Sequence, residues 1–372
     1  MRIVITVLLF LVVTNRIVYA HGECCLSKSI ADAAISGVTL APNFGLSLQY
    51  EYTNMETIRK GSHSISPNSV LDNVAAGWPE MPEDGKSFSV PTRMIMQKYT
   101  LLGTYSVTKK LQFLTTVPYV INDMDMRMVT RGAGGGHHHH VAQRGLRSYL
   151  RPLASDMTEN DERMNMKMDT IEGLGDITLM GLYTLYANKI ELPTRKVTLG
   201  LGVKTPTGKN DEEFDSGGLV HAAMQRGTGS WDPLFLANYM HAFYPWVFQT
   251  NLFYQMTTEG DEGYEFGDKI SFDLIARYQV TNSVKPGMEF NLFYAAQDID
   301  HDGRYSRPDE SLIDNTDNTG ITSLSVSPSL QIKISKTGGS VDLKFQKPFY
   351  QRARGTQQVV DWRATASIVW AF

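Results

Sequence analysis

The chain has 372 residues, 42% of them hydrophobic and 20% charged, and a formal charge of −4. That is enough for a large core or one large barrel, and it offers no basic surplus for nucleic acid. Beyond the N-terminus no run of about 18 apolar residues occurs, which excludes membrane-spanning helices.

The first residues read as a secretory signal. Arg2 opens it, Ile3 to Val13 is its apolar run, and Val18-Tyr19-Ala20 is a small-residue cleavage site. Cleavage after Ala20 removes Arg2 and Arg16 and takes the charge from −4 to about −6. Residues 21–42 then form a periplasmic tail carrying His21, Cys24 and Cys25. Adjacent cysteines rarely bridge to each other because the ring is strained. An intermolecular disulfide or a soft-metal site with His21 are the two readings.

From residue 43 to residue 372, twelve stretches alternate apolar and polar residues, the signature of half-buried strands. They are Asn43 to Tyr52, Val90 to Ser106, Lys110 to Ile121, Leu174 to Ala187, Arg195 to Thr205 and Trp231 to Phe243, followed by Trp246 to Thr257, Asp268 to Thr281, Val284 to Gln297, Ile321 to Ser335, Gly339 to Pro348 and Val359 to Phe372. Long connections (53–89, 122–173, 206–230, 298–320, with a shorter 258–267) follow odd-numbered strands, and short ones follow even-numbered strands. An even count with loops of alternating length predicts a 12-stranded antiparallel transmembrane β-barrel of outer-membrane type, both termini periplasmic.

The two faces of these strands differ as such a barrel requires. One is rich in aromatic and aliphatic residues and suits membrane lipid. The other carries Glu51, Lys98, Lys196, Lys204, Lys269, Asp273, Arg277, Glu289, Lys333, Asp342, Lys344, Asp361 and Arg363. A packed soluble core would not hold so many charges, whereas a wet or salt-bridged lumen would. The last strand ends on an aromatic, the pattern of the C-terminal signal strand that outer-membrane barrels present to the assembly machinery.

Gly173-Leu174-Gly175-Asp176-Ile177, Gly200-Leu201-Gly202-Val203-Lys204-Thr205-Pro206-Thr207-Gly208 and Gly227-Thr228-Gly229-Ser230-Trp231-Asp232 occur in that order. This resembles the outer-membrane β-barrel transporters of the MetA-pathway of phenol degradation family. The resemblance is specific from Gly173 to Phe243, weaker to the C-terminus, and reduced to the strand pattern in the N-terminal third. It implies an outer-membrane location and a transport role with no defined substrate. The glycines themselves read as loop and strand-edge features, since no helix follows them to make a phosphate site.

Methionine placement is the most unusual chemical feature. Met94, Met96, Met124, Met126, Met128, Met164, Met166 and Met168 are all even-numbered, on the parity that faces inward in the second, third and fourth strands. Residues 124–128 and 164–168 are positioned to pair as one antiparallel hairpin above the membrane, with Asp125, Arg127, Asn165 and Lys167 on a solvated outer face. Thioethers suit Cu(I), and His137, His138, His139 and His140 between the two ladders suit Cu(II). The competing reading is that methionine fills an irregular apolar gap. In the loop 298–320, Asp298, Asp300 and Asp302 followed by Gly303, with Asp309 in the closing position, are spaced like a calcium loop.

No enzyme is expected. His241 faces outward, but the outward residues of the neighbouring strands supply no serine within reach. No cofactor is required, with Cu(I), Cu(II) and Ca²⁺ as candidate ions. The expectation is passage of a small solute, possibilities being a soft metal ion through the inward methionines or a small hydrophobic or aromatic compound. A structural or adhesive surface barrel is the third reading.

Overall fold

The computed structural model describes residues 44–79, 85–132, 161–189, 193–214, 218–334 and 339–371. The signal, the tail with His21, Cys24 and Cys25, and the run His137 to His140 lie outside the described residues.

One antiparallel sheet of fourteen strands dominates, and twelve of them close a barrel. We label these β1 (Phe44–Met55), β2 (Lys86–Ser106), β3 (Leu111–Arg131), β4 (Thr178–Ala187), β5 (Arg195–Lys204), β6 (Asp232–Phe243), β7 (Trp246–Gln255), β8 (Lys269–Tyr278), β9 (Val284–Ala295), β10 (Ile321–Lys333), β11 (Ser340–Ala353) and β12 (Trp362–Ala371). Each pairs with its neighbour in sequence, and β12 closes onto β1 from Gly45↔Ala371 to Asn54↔Trp362. Closure leaves no barrel edge unpaired, which is what hydrocarbon demands of strands.

Outward residues keep the predicted parity. Leu48, Leu101, Leu179, Phe235, Leu274 and Phe290 are all exposed on the outer wall. Around the tight turns an aromatic girdle forms, with Trp246 edge-on to Tyr278 at 4.9 Å and Phe243 stacked on Phe248 at 5.5 Å. An exposed apolar wall bounded by aromatics is a surface for lipid, so the chain is a barrel of the bacterial outer membrane.

The lumen is closed in two ways. Between β2 and β7, inward Leu102, Leu114, Met180, Leu182, Leu234, Leu236 and Phe253 form a buried apolar cluster. Gly200 and Gly202 sit mid-strand in β5 beside it, so they are not the strand-edge features expected. A Cβ on Gly200 would lie 2.8 Å from Leu182 Cδ2 and 2.9 Å from Leu236 Cβ. Around β8 to β12 and β1 the lumen is instead a polar network. Arg363 meets Glu51 at 3.5 Å, Lys344 meets Glu289 at 3.5 Å, Asn291 donates to Asp273 at 2.6 Å, Arg277 to Gln249 at 2.8 Å and Gln331 to Asp342 at 2.9 Å.

Three expectations are corrected. First, β2 and β3 run 21 residues each, so β3 continues through 122–131 where a loop was expected. At about 3.3 Å per residue this reaches far beyond the ~9–11 residues that cross a bilayer. Second, connection 53–89 holds a helix, α1 (Pro67–Ala75), capped by Ser66, whose side chain accepts from Ser69 N at 3.1 Å. Val70, Leu71 and Ala75 of α1 bury against Phe88, Val90 and Val129, and Asn68 accepts from Arg127 at 2.8 Å. That covers part of the hairpin face expected to be solvated. Third, the fourth strand is interrupted: a short strand Ile171–Leu174 pairs with β3, and β4 begins only at Thr178. The cause is Asp176, which turns in to hold the following loop.

Candidate functional site

The extended part of β3 organises the site. Met55, Met94 and Met124 lie abreast on β1, β2 and β3, because Met55 pairs with Met94 and Met94 with Met124. The strand Asp161–Lys167 pairs with β3 as Met126↔Met166 and Met128↔Met164, the register expected. Met55, Met94, Met124 and Met126 are buried with Met224, Ile171, Val220 and Val360, while Met96, Met166, Met168, Phe214 and Ile313 pack against them. Met128 and Met164 face each other farther up the hairpin, outside this cluster.

The connection between β5 and β6 folds over this wall. Its single turn of 3-10 helix, Ala222–Met224, is tied down by Asn122, whose Nδ2 donates to Met224 O at 3.0 Å. Gln225 Nε2 donates to the carbonyls of Glu212 and Val220, both at 3.1 Å. His221 Nδ1 meets Asp314 Oδ1 at 2.6 Å, and Arg307 Nε meets Asp314 Oδ2 at 2.9 Å, joining this loop to the one before β10.

Both ends of the folded loop converge on one buried ion cluster. Lys204 Nζ lies 3.1 Å from Asp176 and 2.8 Å from Asp232, and it also bonds Thr228. Asp176 accepts from Gly208 N at 2.9 Å and from Thr228 N at 3.0 Å. Gly208 and Gly227 approach so closely that a Cβ on Gly227 would sit 2.2 Å from Gly208 O. The three glycine motifs therefore build a latch that holds the loop in the barrel mouth.

Between wall, cap and latch lies a cavity of about 150 Å³. Met55, Met94, Met96 and Met124 line its side, Ala222 and Ala223 its cap, and Glu51, Lys98, Asp176, Lys204 and Lys269 its polar surface. The arrangement can seat one small, mainly apolar molecule. Thioethers are polarizable and have three rotatable bonds, so they mould to a guest.

Six of the eight methionines expected to ligate copper, all but Met128 and Met164, thus pack among carbon side chains. Among the described residues no group of three or more His, Cys, Asp or Glu is placed to hold a metal ion. Nor does the calcium spacing gather its four carboxylates. Asp298 turns inward, where its oxygens accept from Tyr264 OH at 2.8 Å and Gly267 N at 2.9 Å. Asp300 accepts from Tyr305 N at 3.0 Å, while Asp302 and Asp309 stay exposed. Each carboxylate has a structural use or points to water.

Not every charge named inward from sequence faces the lumen: Lys333 is exposed, and Asp361, just ahead of β12, accepts from Glu56 N at 2.7 Å and Thr57 N at 3.0 Å. Glu51, Lys98, Lys204, Asp273, Glu289 and Arg363 are buried in the lumen, and Arg277, Asp342 and Lys344 are partly so. Sequence reasoning missed Met55, Met224, Lys269 as a site residue, and the Asp176–Asp232 pair as ligands of Lys204. Met55 was legible as the inward parity of β1 carried three residues farther. Met224 was not, because it reaches the wall only through the fold of a long loop.

The family model described as "Putative MetA-pathway of phenol degradation" matches residues 98–363. Among solved structures, the COG4313 outer membrane channel from Pseudomonas putida F1 is 12% identical, with 89% of this chain and 96% of that one covered at a TM-score of 0.52. A Pseudomonas aeruginosa FadL homologue is 9% identical over 91% and 94% of the two chains, with a TM-score of 0.42. The Pseudomonas putida toluene transporter TodX is 10% identical over 95% of both, with a TM-score of 0.39. The first shares the fold, and the other two are too distant to argue from. No curated protein matches the chain. The family match spans more than two thirds of the sequence and includes every element that builds the latch, and the chain belongs to the MetA-pathway of phenol degradation family.

Proposed function

We propose that the protein is an outer-membrane channel that admits small hydrophobic solutes from the long-loop side. The observation that carries this is the methionine-walled cavity at the barrel mouth, lidded by Ala222–Met224 and latched by Lys204. Ligand sites are characteristically concave and apolar with a few converging polar groups. The methionines supply the apolar part, and the ion cluster is a discrete contact whose release frees the loop. The fold shared with the COG4313 outer membrane channel from Pseudomonas putida F1 supports the reading.

The test is uptake of radiolabelled toluene by bacterial cells that express the protein, against cells carrying an empty vector. Expression should raise initial uptake several-fold. Met94→Asp with Met124→Asp should return it to background while the barrel still shows heat-modifiable gel mobility. Equal uptake with and without the protein would refute the reading. The soft-metal alternative rests on the same methionines, so a Cu(I) competition titration accompanies the test. Tight, saturable Cu(I) binding that disappears when the hairpin methionines become leucine would establish metal handling instead.

A further inference from the structure

The three lysines of the cavity are not equivalent. Lys204 has two carboxylates and a hydroxyl, as a buried ammonium requires. Lys269, at the start of β8, is 1% exposed, yet no carboxylate or hydrogen-bond acceptor meets it among the described residues. The Phe266 ring lies 5.4 Å from its Nζ. Lys98 Nζ is buried without a hydrogen-bond acceptor, and its carboxylate, Glu51 at 3.7 Å, is shared with Arg363 at 3.5 Å. Both ammonium groups line the cavity, together with the methionine wall.

Burying an ammonium without a counter-ion costs more than one ring face returns. Among the described residues, carboxylates stand beside Lys204 and none beside Lys269. A partner suited to Lys269 would be an anion that comes and goes. The lining is mainly apolar, so the anion has an apolar body. Size agrees as well. The cavity measures about 150 Å³, and an apolar cavity of about that volume in another protein holds one benzene ring.

Resting on the channel reading above, we propose that the cavity is a binding site for small aromatic monocarboxylates. The ring lies on Met94, Met96 and Met124, and the carboxylate accepts from Lys269, with Lys98 as the second cation. Glu51 and Asp176 border the same space, and their charge sets a limit of one anion.

The experiment is isothermal titration of the full, detergent-folded protein with benzoate and with its neutral isostere benzamide. A charge-assisted hydrogen bond predicts that benzoate binds ~10-fold or more tightly than benzamide. Lys269→Met should erase that preference by weakening benzoate while leaving benzamide within about twofold, an effect no general loss of folding would produce. Lys98→Met, at the opposite wall, should weaken benzoate by a smaller factor and guards against a Lys269 variant that does not assemble. Equal affinity for the two ligands, or a benzoate affinity unchanged in both variants, would overturn the proposal. Because the channel reading is tested with uncharged toluene, toluene uptake without benzoate preference would sink the acid site alone.

Discussion

The two halves of the barrel interior are closed by different physics. From β2 to β7 the inward face holds a packed cluster of leucines, Met180 and Phe253 around two glycines, beside buried polar residues such as Thr100, Lys196 and Asn238, whereas from β8 through β12 to β1 amides, hydroxyls and paired charges predominate. Outside, the two halves look alike. The apolar half closes by volume, so it is sensitive to a methyl group and indifferent to salt. The polar half closes by pairing, so it tolerates small changes of volume but not an orphaned charge. The cavity sits where the two meet, with thioethers on one wall and lysines on both, Lys98 beside the methionines and Lys269 across from them. That junction is the natural place for a guest with an apolar and a polar end.

This contrast is sharpest at the latch. Lys204→Met should leave Asp176 and Asp232 without their shared cation, at a cost of ~3–5 kcal/mol by the usual penalty for breaking a buried pair. Denaturant unfolding in detergent measures that loss. Planar-bilayer recordings should show raised conductance, because both ends of the folded loop are freed. Unchanged conductance would mean that the loop is held by its other bonds.

The apolar half is probed by overfilling it. Gly200→Ala adds a methyl that meets Leu182 and, more rigidly, Leu236 Cβ at 2.9 Å, and should cost ~1–3 kcal/mol in the same unfolding assay. A neutral result would show that the lumen packing there is loose, and the distinction between the halves would weaken.

The smallest effect is expected outside the membrane, at His301. Its bond to Glu265 at 3.0 Å raises its pKa above the ordinary histidine value. A raised folded-state pKa contributes stability that is fully present below about 6.5 and is lost as the pH rises through the raised value. His301→Gln should therefore lower the melting temperature slightly at pH 5.5 and not at pH 9. A difference that is the same at both pH values would assign the effect to packing.

Strand number, the alternation of long and short connections and the inward parity of the charges and methionines were legible in the sequence, because period-two patterning is a local property of a chain with lipid on one side. The register of the methionine hairpin followed from the same parity. The glycine motifs marked the family, but their use did not follow from local reasoning. Asp176, Lys204 and Asp232 are spread over more than 50 residues and meet only because β4, β5 and β6 stand side by side. The acidic spacing at Asp298 to Asp309 suggested calcium, and tertiary contacts spent those carboxylates on Tyr264, Gly267 and Tyr305 instead. Likewise, the parity of Lys269 placed it in the lumen, while its lack of a partner among the described residues depends on which side chains the closed barrel brings opposite it. Pattern along the chain determined which face each residue takes; closure of the sheet and the fold of the long loops decided which residues meet.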